Sequence, residues 1–386
     1  MKKVILLTAC TAAVLLSGCS DNELASVGDG IGTSTQSAIG FHVVGNQAET
    51  RAIPITPGNL TSTDFDVFAF TTAGKLFMGN LASEPSHDGV NIKYDKDNSK
   101  WDYNNPSDLR YWPESPLNFY AISPGTFDEE NMTGYYTWNI NKDKQQITYN
   151  WSDEYNPSSK GYANIDIMYG IAKDQTPKTN SGKVKFQFRH ILSQVAFKAK
   201  TQEADMEVEI EGIRIYNLQV ASTFTFPADA KTLPTQANWS KANATKGKYF
   251  FKMKQTTTAT SNVSDIFTEP MLFIPQSLTP WATNASTPVS KEAADNATPT
   301  QSYLEISCKI KKDGHLIYGS INETGVEGYK SLYVPFGQSW EPGKRYIYTL
   351  IFGGGYNDQG EPILNPINFE ADVDEWTDET AGNVNL

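Results

Sequence analysis

From Asp64 onward, apolar and polar residues alternate with a period of two in short runs separated by Gly, Pro, Asn and Asp, the signature of β-strands. The run Asp64 to Phe70 stops at Thr71-Thr72-Ala73-Gly74, and the runs Ile92 to Tyr94 and Trp101 to Tyr103 flank Asp95-Lys96-Asp97-Asn98, which predicts a hairpin. Similar runs follow at Lys183 to Phe188, Val208 to Ile210, Ile213 to Tyr216, Tyr303 to Ile310, Tyr346 to Phe352 and Ile367 to Val373. Many carry apolar side chains on one face only, which predicts antiparallel sheets with one face in water. No stretch shows a sustained 3.6-residue apolar stripe with caps, so helix is a minor component and stacked sandwiches are expected.

The polar stretch Lys173 to Gly182 interrupts the strand pattern and predicts a boundary near residue 180, dividing an N-terminal sandwich, 52–180, from a C-terminal one, 181–386. The length, 386 residues, agrees with two domains at roughly 100–200 residues each. Two Ser/Thr/Ala/Asn-rich stretches, Thr256 to Asp265 and Thr283 to Thr300, predict surface loops.

Ahead of the first sandwich, Ala38 to Val44 sets Ile39, Phe41 and Val43 on one face of a strand fitted to a sandwich edge. A polar loop from Gly45 to Arg51-Ala52 follows, ending in the residue a trypsin-like protease takes before the scissile bond. Further upstream, Met1-Lys2-Lys3 and the mostly apolar Val4 to Leu16 read as a secretory signal, since the run falls short of the roughly 20 residues that cross a bilayer. Leu16-Ser17-Gly18-Cys19 resembles the bacterial lipobox. That resemblance implies a signal peptide, 1–18, cut between Gly18 and Cys19, and an acylated polar tether, 19–37, carrying lipid on Cys19. Ser20-Asp21-Asn22-Glu23 resembles the acidic signal that sends lipoproteins of Bacteroidia-type bacteria to the cell surface.

Charge and composition narrow the chemistry. The formal charge of −12 becomes −14 once Lys2 and Lys3 leave with the signal, and no Lys/Arg-rich block occurs, which excludes nucleic acid as a partner. With Cys10 in the signal and Cys19 lipidated, Cys308 is the single free thiol, so no disulfide forms within one mature chain. Neither a metal site nor a cofactor is expected. Asp95-x-Asp97-Asn98 lacks the Gly and the acidic residue that a calcium loop needs further on, and reads as a turn. His190 and Ser193 sit three apart with no nearby acid, so a structural histidine is expected rather than a triad. Trp112, Phe119 and Tyr120 read as core aromatics. No catalytic residue is assigned, and the chain is not expected to be an enzyme.

Several segments together resemble the fimbrillin-like (Mfa-like) lipoproteins. They are Tyr111-Trp112-Pro113 with Leu117 to Pro124, Phe188-Arg189-His190-Ile191-Leu192-Ser193-Gln194-Val195-Ala196-Phe197, Leu272 to Gln276, and Trp340-Glu341-Pro342-Gly343 with Tyr346-Ile347-Tyr348, followed by Val373-Asp374-Glu375-Trp376. The resemblance implies an all-β subunit of a type V pilus, built of two tandem transthyretin-like antiparallel β-sandwich domains. It implies an outer-membrane lipoprotein precursor that later enters the fimbrium on the cell surface. Residues 38–51 would be a propeptide strand, released by cleavage between Arg51 and Ala52, with Ile39, Phe41 and Val43 leaving a groove. The partners implied are other pilin subunits through strand exchange, a trypsin-like processing protease, the outer membrane through the precursor's lipid, and a host or bacterial surface ligand. With only a short polar tail after Trp376, a tip or minor subunit fits better than a stalk subunit. A surface glycan-binding lipoprotein is the alternative.

Overall fold

The computed structural model describes residues 37–43, 60–79, 89–125, 136–150, 165–241, 245–266, 271–282, 300–356 and 362–375. Gly18, Cys19, Arg51, Ala52 and most of the Thr283 to Thr300 stretch lie outside them. The protein is all-β; among the described residues the only helical segments are short 3-10 turns.

The first strands are β1 (Gly40–Val43), β2 (Asp64–Thr71), β3 (Leu76–Met78), β4 (Val90–Asp95), β5 (Lys100–Tyr103), β6 (Leu117–Ser123), β7 (Tyr136–Ile140), β8 (Gln145–Asn150), β9 (Met168–Gln175), β10 (Lys183–Phe186) and β11 (Arg189–His190). There follow β12 (Ser193–Thr201), β13 (Met206–Thr225), β14 (Thr245–Ala259), β15 (Ser264–Asp265), β16 (Met271–Phe273), β17 (Thr279–Pro280) and β18 (Gln301–Lys312). The last are β19 (His315–Tyr318), β20 (Ser320–Ile321), β21 (Glu327–Gly328), β22 (Lys330–Pro335), β23 (Lys344–Tyr356) and β24 (Pro362–Glu375).

One sheet runs β10-β1-β5-β4-β2-β6-β9-β11, with β3 beside β2. A second runs β15-β12-β23-β24, with β16 also on β12, and a third runs β17-β18-β13-β8-β7, with β14 on β13 and β19 and β22 on β18. Most pairings are antiparallel; β1 with β10, β12 with β23 and β17 with β18 are parallel. The hairpin β7–β8, although it precedes residue 180, joins the third sheet by pairing β8 with the end of β13, from Ala221↔Asn150 to Thr225↔Gln146.

Burial departs from the expectation of one wet face in β2, β6 and β9. Phe65, Val67 and Ala69 of β2 fill one apolar core, while Phe68 and Phe70 belong to another that also holds Ile147 of β8, Phe197 of β12 and Ile213 of β13. These strands are sandwiched between two cores, so they are apolar on both faces. A polar exception, Asp66, is buried and accepts from Asn91 Nδ2 at 2.8 Å, which satisfies a carboxylate that burial would otherwise penalise. The alternation expected for a half-wet sheet holds in β10, β13 and β18.

Two further expectations change. The runs Val208 to Ile210 and Ile213 to Tyr216 are parts of one 20-residue strand, β13, whose ladder with β14 shifts register between Ile210 and Gly212, at Glu211, and between Tyr216 and Leu218, at Asn217. Asn217 takes a positive φ of 62°, a conformation its short polar side chain tolerates. The front of the predicted loop Thr256 to Asp265 is instead the end of β14, and Ala259 is buried in the core.

Candidate functional site: the seat of the first strand

β1 is short, yet Ile39, Phe41 and Val43 are all buried in the first core, at 1%, 4% and 8% exposure. Burial of such side chains stabilises by about 1.5–3 kcal/mol each. The ring of Phe41 sits edge-on to Tyr103 at 5.5 Å and to Phe65 at 6.3 Å, and lies parallel to Phe186 at 6.5 Å. Phe65 in turn contacts Trp101, Phe186 and Phe188, so one aromatic cluster lines the pocket that Phe41 occupies.

The backbone of this segment is held from three directions. Ile39 N–H donates to the Arg110 carbonyl at 2.9 Å and Trp112 N–H donates to the Ser37 carbonyl at 3.1 Å, around a bridge between Ala38 and Tyr111. Gly40 to Val43 then run parallel to Lys183 to Phe186, and Phe41 pairs antiparallel with Trp101. β1 therefore lies inside the sheet, between β10 and β5, rather than at the edge that its sequence suggested. The parallel partner comes from a segment over a hundred positions downstream, which no local pattern announces.

Two side chains outside β1 fasten it. Tyr103 donates its hydroxyl to the Ile39 carbonyl at 3.1 Å, and burial pushes its phenol up to about 12. Trp112, buried as expected, donates Nε1–H to the Gly182 carbonyl at 3.1 Å and so ties the 110–112 segment to the start of β10. On the outer face, His42 is exposed and its imidazole pKa is lowered, first by partial burial and then by Lys185 and Lys183.

The other residues singled out from the sequence resolve as structural. His190 Nδ1 lies 2.9 Å from Asp166 Oδ1, both side chains buried, so the ring has an acidic partner that stands 24 positions upstream. Ser193 does not complete a triad: it opens β12 in another sheet and donates its hydroxyl to the Glu341 carbonyl at 2.9 Å. Asp95 caps the β4–β5 turn by accepting from the backbone N–H groups of Asp97 and Asn98 and from the Asn98 side chain, and those bonds hold its carboxyl below the usual range. Phe119 and Tyr120 are buried on opposite faces of β6. Trp340 is fully buried, donating to the Tyr348 hydroxyl at 2.8 Å, and Gln276 clamps the Gln219 backbone through both ends of its amide. Trp101, Trp239 and Trp281 are buried as well, which removes them as stacking platforms for a sugar.

A family model described as fimbrillin-like matches residues 50–376. Among curated proteins, the fimbrium subunit Fim1C of Phocaeicola vulgatus is 26% identical over 231 residues, covering 53% of this chain and 54% of that protein. The matched region thus spans about half the length of that relative. Among solved structures, a fimbrial protein from Bacteroides vulgatus superposes with a TM-score of 0.55 at 18% identity, over 88% of this chain and 99% of the other, a likeness of fold.

Proposed function

The chain belongs to the fimbrillin-like family, and from that premise we propose that it is a structural fimbrial subunit of the bacterial cell surface, not an enzyme, that assembles by exchange of its first strand. The observation that carries this reading is the seat of β1: a short strand that buries three apolar side chains of its segment and is followed in sequence by a polar loop ending in Arg51. In this reading a trypsin-like protease cuts between Arg51 and Ala52. The propeptide 38–51 leaves, and the pockets of Ile39, Phe41 and Val43 receive a strand from another subunit, the strand-addition mode of recognition. An open sheet with such pockets is a strong template for pairing.

The same reading includes lipid on Cys19 after cleavage at Gly18, an outer-membrane precursor, and a division near residue 180 into two transthyretin-like sandwiches, with β7–β8 contributed to the sheet of the second and β10 and β11 to that of the first. β24 pairs with β23 from Lys344↔Glu375 to Tyr356↔Pro362, so it is engaged within its own sheet rather than free to be donated, which favours a tip or minor position. A surface ligand on a host or bacterial cell would suit that position.

Limited trypsin digestion of the full chain, followed by mass spectrometry, tests the processing step. The expected first cut falls after Arg51; a first cut elsewhere overturns it. Processed protein that forms long homopolymers unaided would overturn the tip position while leaving strand exchange intact.

A further inference from the structure

The seat of β1 has an outer rim as well as an inner lining, and its chemistry is lopsided. On the outer face of β10 stand Lys183 and Lys185, both exposed, in register with Gly40 and His42. On the other side, the antiparallel pair Phe41–Trp101 sets Lys100 across from His42 and Asp102 across from Gly40 on that same face. Lys100 and Asp102 pair with each other at 2.8 Å and offset one another, so the positive charge that acts on the position of His42 comes from Lys185 and Lys183 of β10. This basic rim stands in a chain of net charge −12.

The native occupant answers this rim poorly. Histidine brings no negative charge to position 42, and when protonated it adds a like charge beside the lysines, an arrangement that destabilises directly opposed strands. The lowered imidazole pKa reflects this environment, burial first and Lys185 and Lys183 next. Position 40 is restricted differently: a Cβ on Gly40 would meet Lys183 Cγ at 3.3 Å, so that lysine must give way to a larger residue.

Resting on the strand-exchange reading, we infer that the strand replacing β1 comes from another subunit and carries a carboxylate at the register of His42, between apolar residues at the registers of Phe41 and Val43. Its consensus in this seat is an aliphatic residue at 39, an aromatic at 41, Asp or Glu at 42 and a small or branched apolar residue at 43. The carboxylate adds an attraction to the lysines that the neutral imidazole lacks, so the incoming strand outcompetes the native strand without needing larger inner side chains. β24 shows how such a segment is written. Ile367-Asn368-Phe369-Glu370-Ala371 repeats the spacing of Ile39-Gly40-Phe41-His42-Val43, with Glu370 at the place of His42. In this chain that segment is paired with β23.

Two measurements separate this inference from the exchange reading beneath it. In the intact full chain, H42E is expected to slow hydrogen exchange at residues 40–43 and H42K to speed it, so that the two differ by about five-fold, and K185E is expected to reverse that order. Equal exchange in H42E and H42K, or an order that K185E leaves unchanged, overturns the carboxylate preference whatever happens in assembly. In full chain nicked after Arg51 and still holding its propeptide, synthetic peptides spanning residues 37–44 with His, Glu or Lys at position 42 are added, and displacement is followed by native mass spectrometry. The Glu peptide is expected to displace the propeptide about five-fold more effectively than the Lys peptide. Displacement by all three alike overturns the inference and retains strand exchange; displacement by none, with the hydrogen-exchange order as expected, overturns strand exchange and retains the charge preference of the seat.

Discussion

The two large apolar cores among the described residues are closed in different ways. The first is completed by β1, four residues long, whose segment contributes Ile39, Phe41 and Val43 and which touches the sheet through one antiparallel pair and one short parallel stretch. The second is walled by β13, 20 residues long, which carries β8, β14 and β18 on its two edges, and by β12, which carries β23 in parallel along eight matched pairs. Removing β1 would open one pocket row, leave β5 on β4 and free the end strand β10 from its only ladder partner among the described residues, whereas removing β13 would sever a whole sheet. A strand whose contribution lies in side chains rather than in ladder length is one that a protein can exchange as a local event.

The strongest perturbations probe where each core breaks. Phe65→Ala, at the hub of the first aromatic cluster, is expected to lower global stability by about 3–5 kcal/mol in denaturant unfolding. Phe41→Ala removes as large a ring, yet its effect of about 3–5 kcal/mol should appear as lost hydrogen-exchange protection in β1 before any change in β13. Simultaneous loss in β13 would erase the distinction between the cores. Trp340→Phe strands the buried Tyr348 hydroxyl without its donor and is expected to cost about 1–3 kcal/mol in global unfolding, with exchange in β1 unaltered.

Smaller effects are confined to β1. Tyr103→Phe deletes the bond to the Ile39 carbonyl and is expected to cost about 1 kcal/mol, read as faster exchange at residues 39–43. The two titrating groups at the seat act in opposite pH ranges. His42 has a folded pKa below its ordinary 6.5, so its contribution is present above pH 6.5 and is lost as pH falls through the lowered value. Tyr103 has a folded pKa raised from 10.0 to about 12, so its contribution is present below pH 10 and is lost as pH rises toward 12. Protection of β1 should therefore be greatest between about pH 7 and pH 10; a profile that rises toward about pH 5 would contradict the placement of His42 beside the lysines.

Much of the strand content was legible because side-chain alternation is a local property. Asp64 to Phe70, the strands flanking the Asp95 turn, Tyr303 to Ile310, Tyr346 to Phe352 and Ile367 to Val373 all lie in strands. So was the inward face of β1, since Ile39, Phe41 and Val43 are spaced by two and separated by polar or small residues. The partners of these strands were not legible. Neither the seat of β1 between β10 and β5 nor the pairing of His190 with Asp166 leaves a trace in neighbouring residues, and the polar stretch before residue 180 gave no sign that β7–β8 would cross to β13.

Local patterning was enough to establish that the protein is all-β, where many of its strands run, which three side chains of the first strand segment point inward, and which family it belongs to. Period-two alternation and short motifs suffice for that, because each strand's inner and outer faces are set by its own residues. Packing in three dimensions settled what remained: β2, β6 and β9 are buried on both faces, β1 sits inside its sheet, and Lys183 and Lys185 of a strand far downstream stand beside position 42. Those outcomes depend on which distant segments share a ladder, and ladder partners are chosen by packing across the whole chain rather than by any stretch of it.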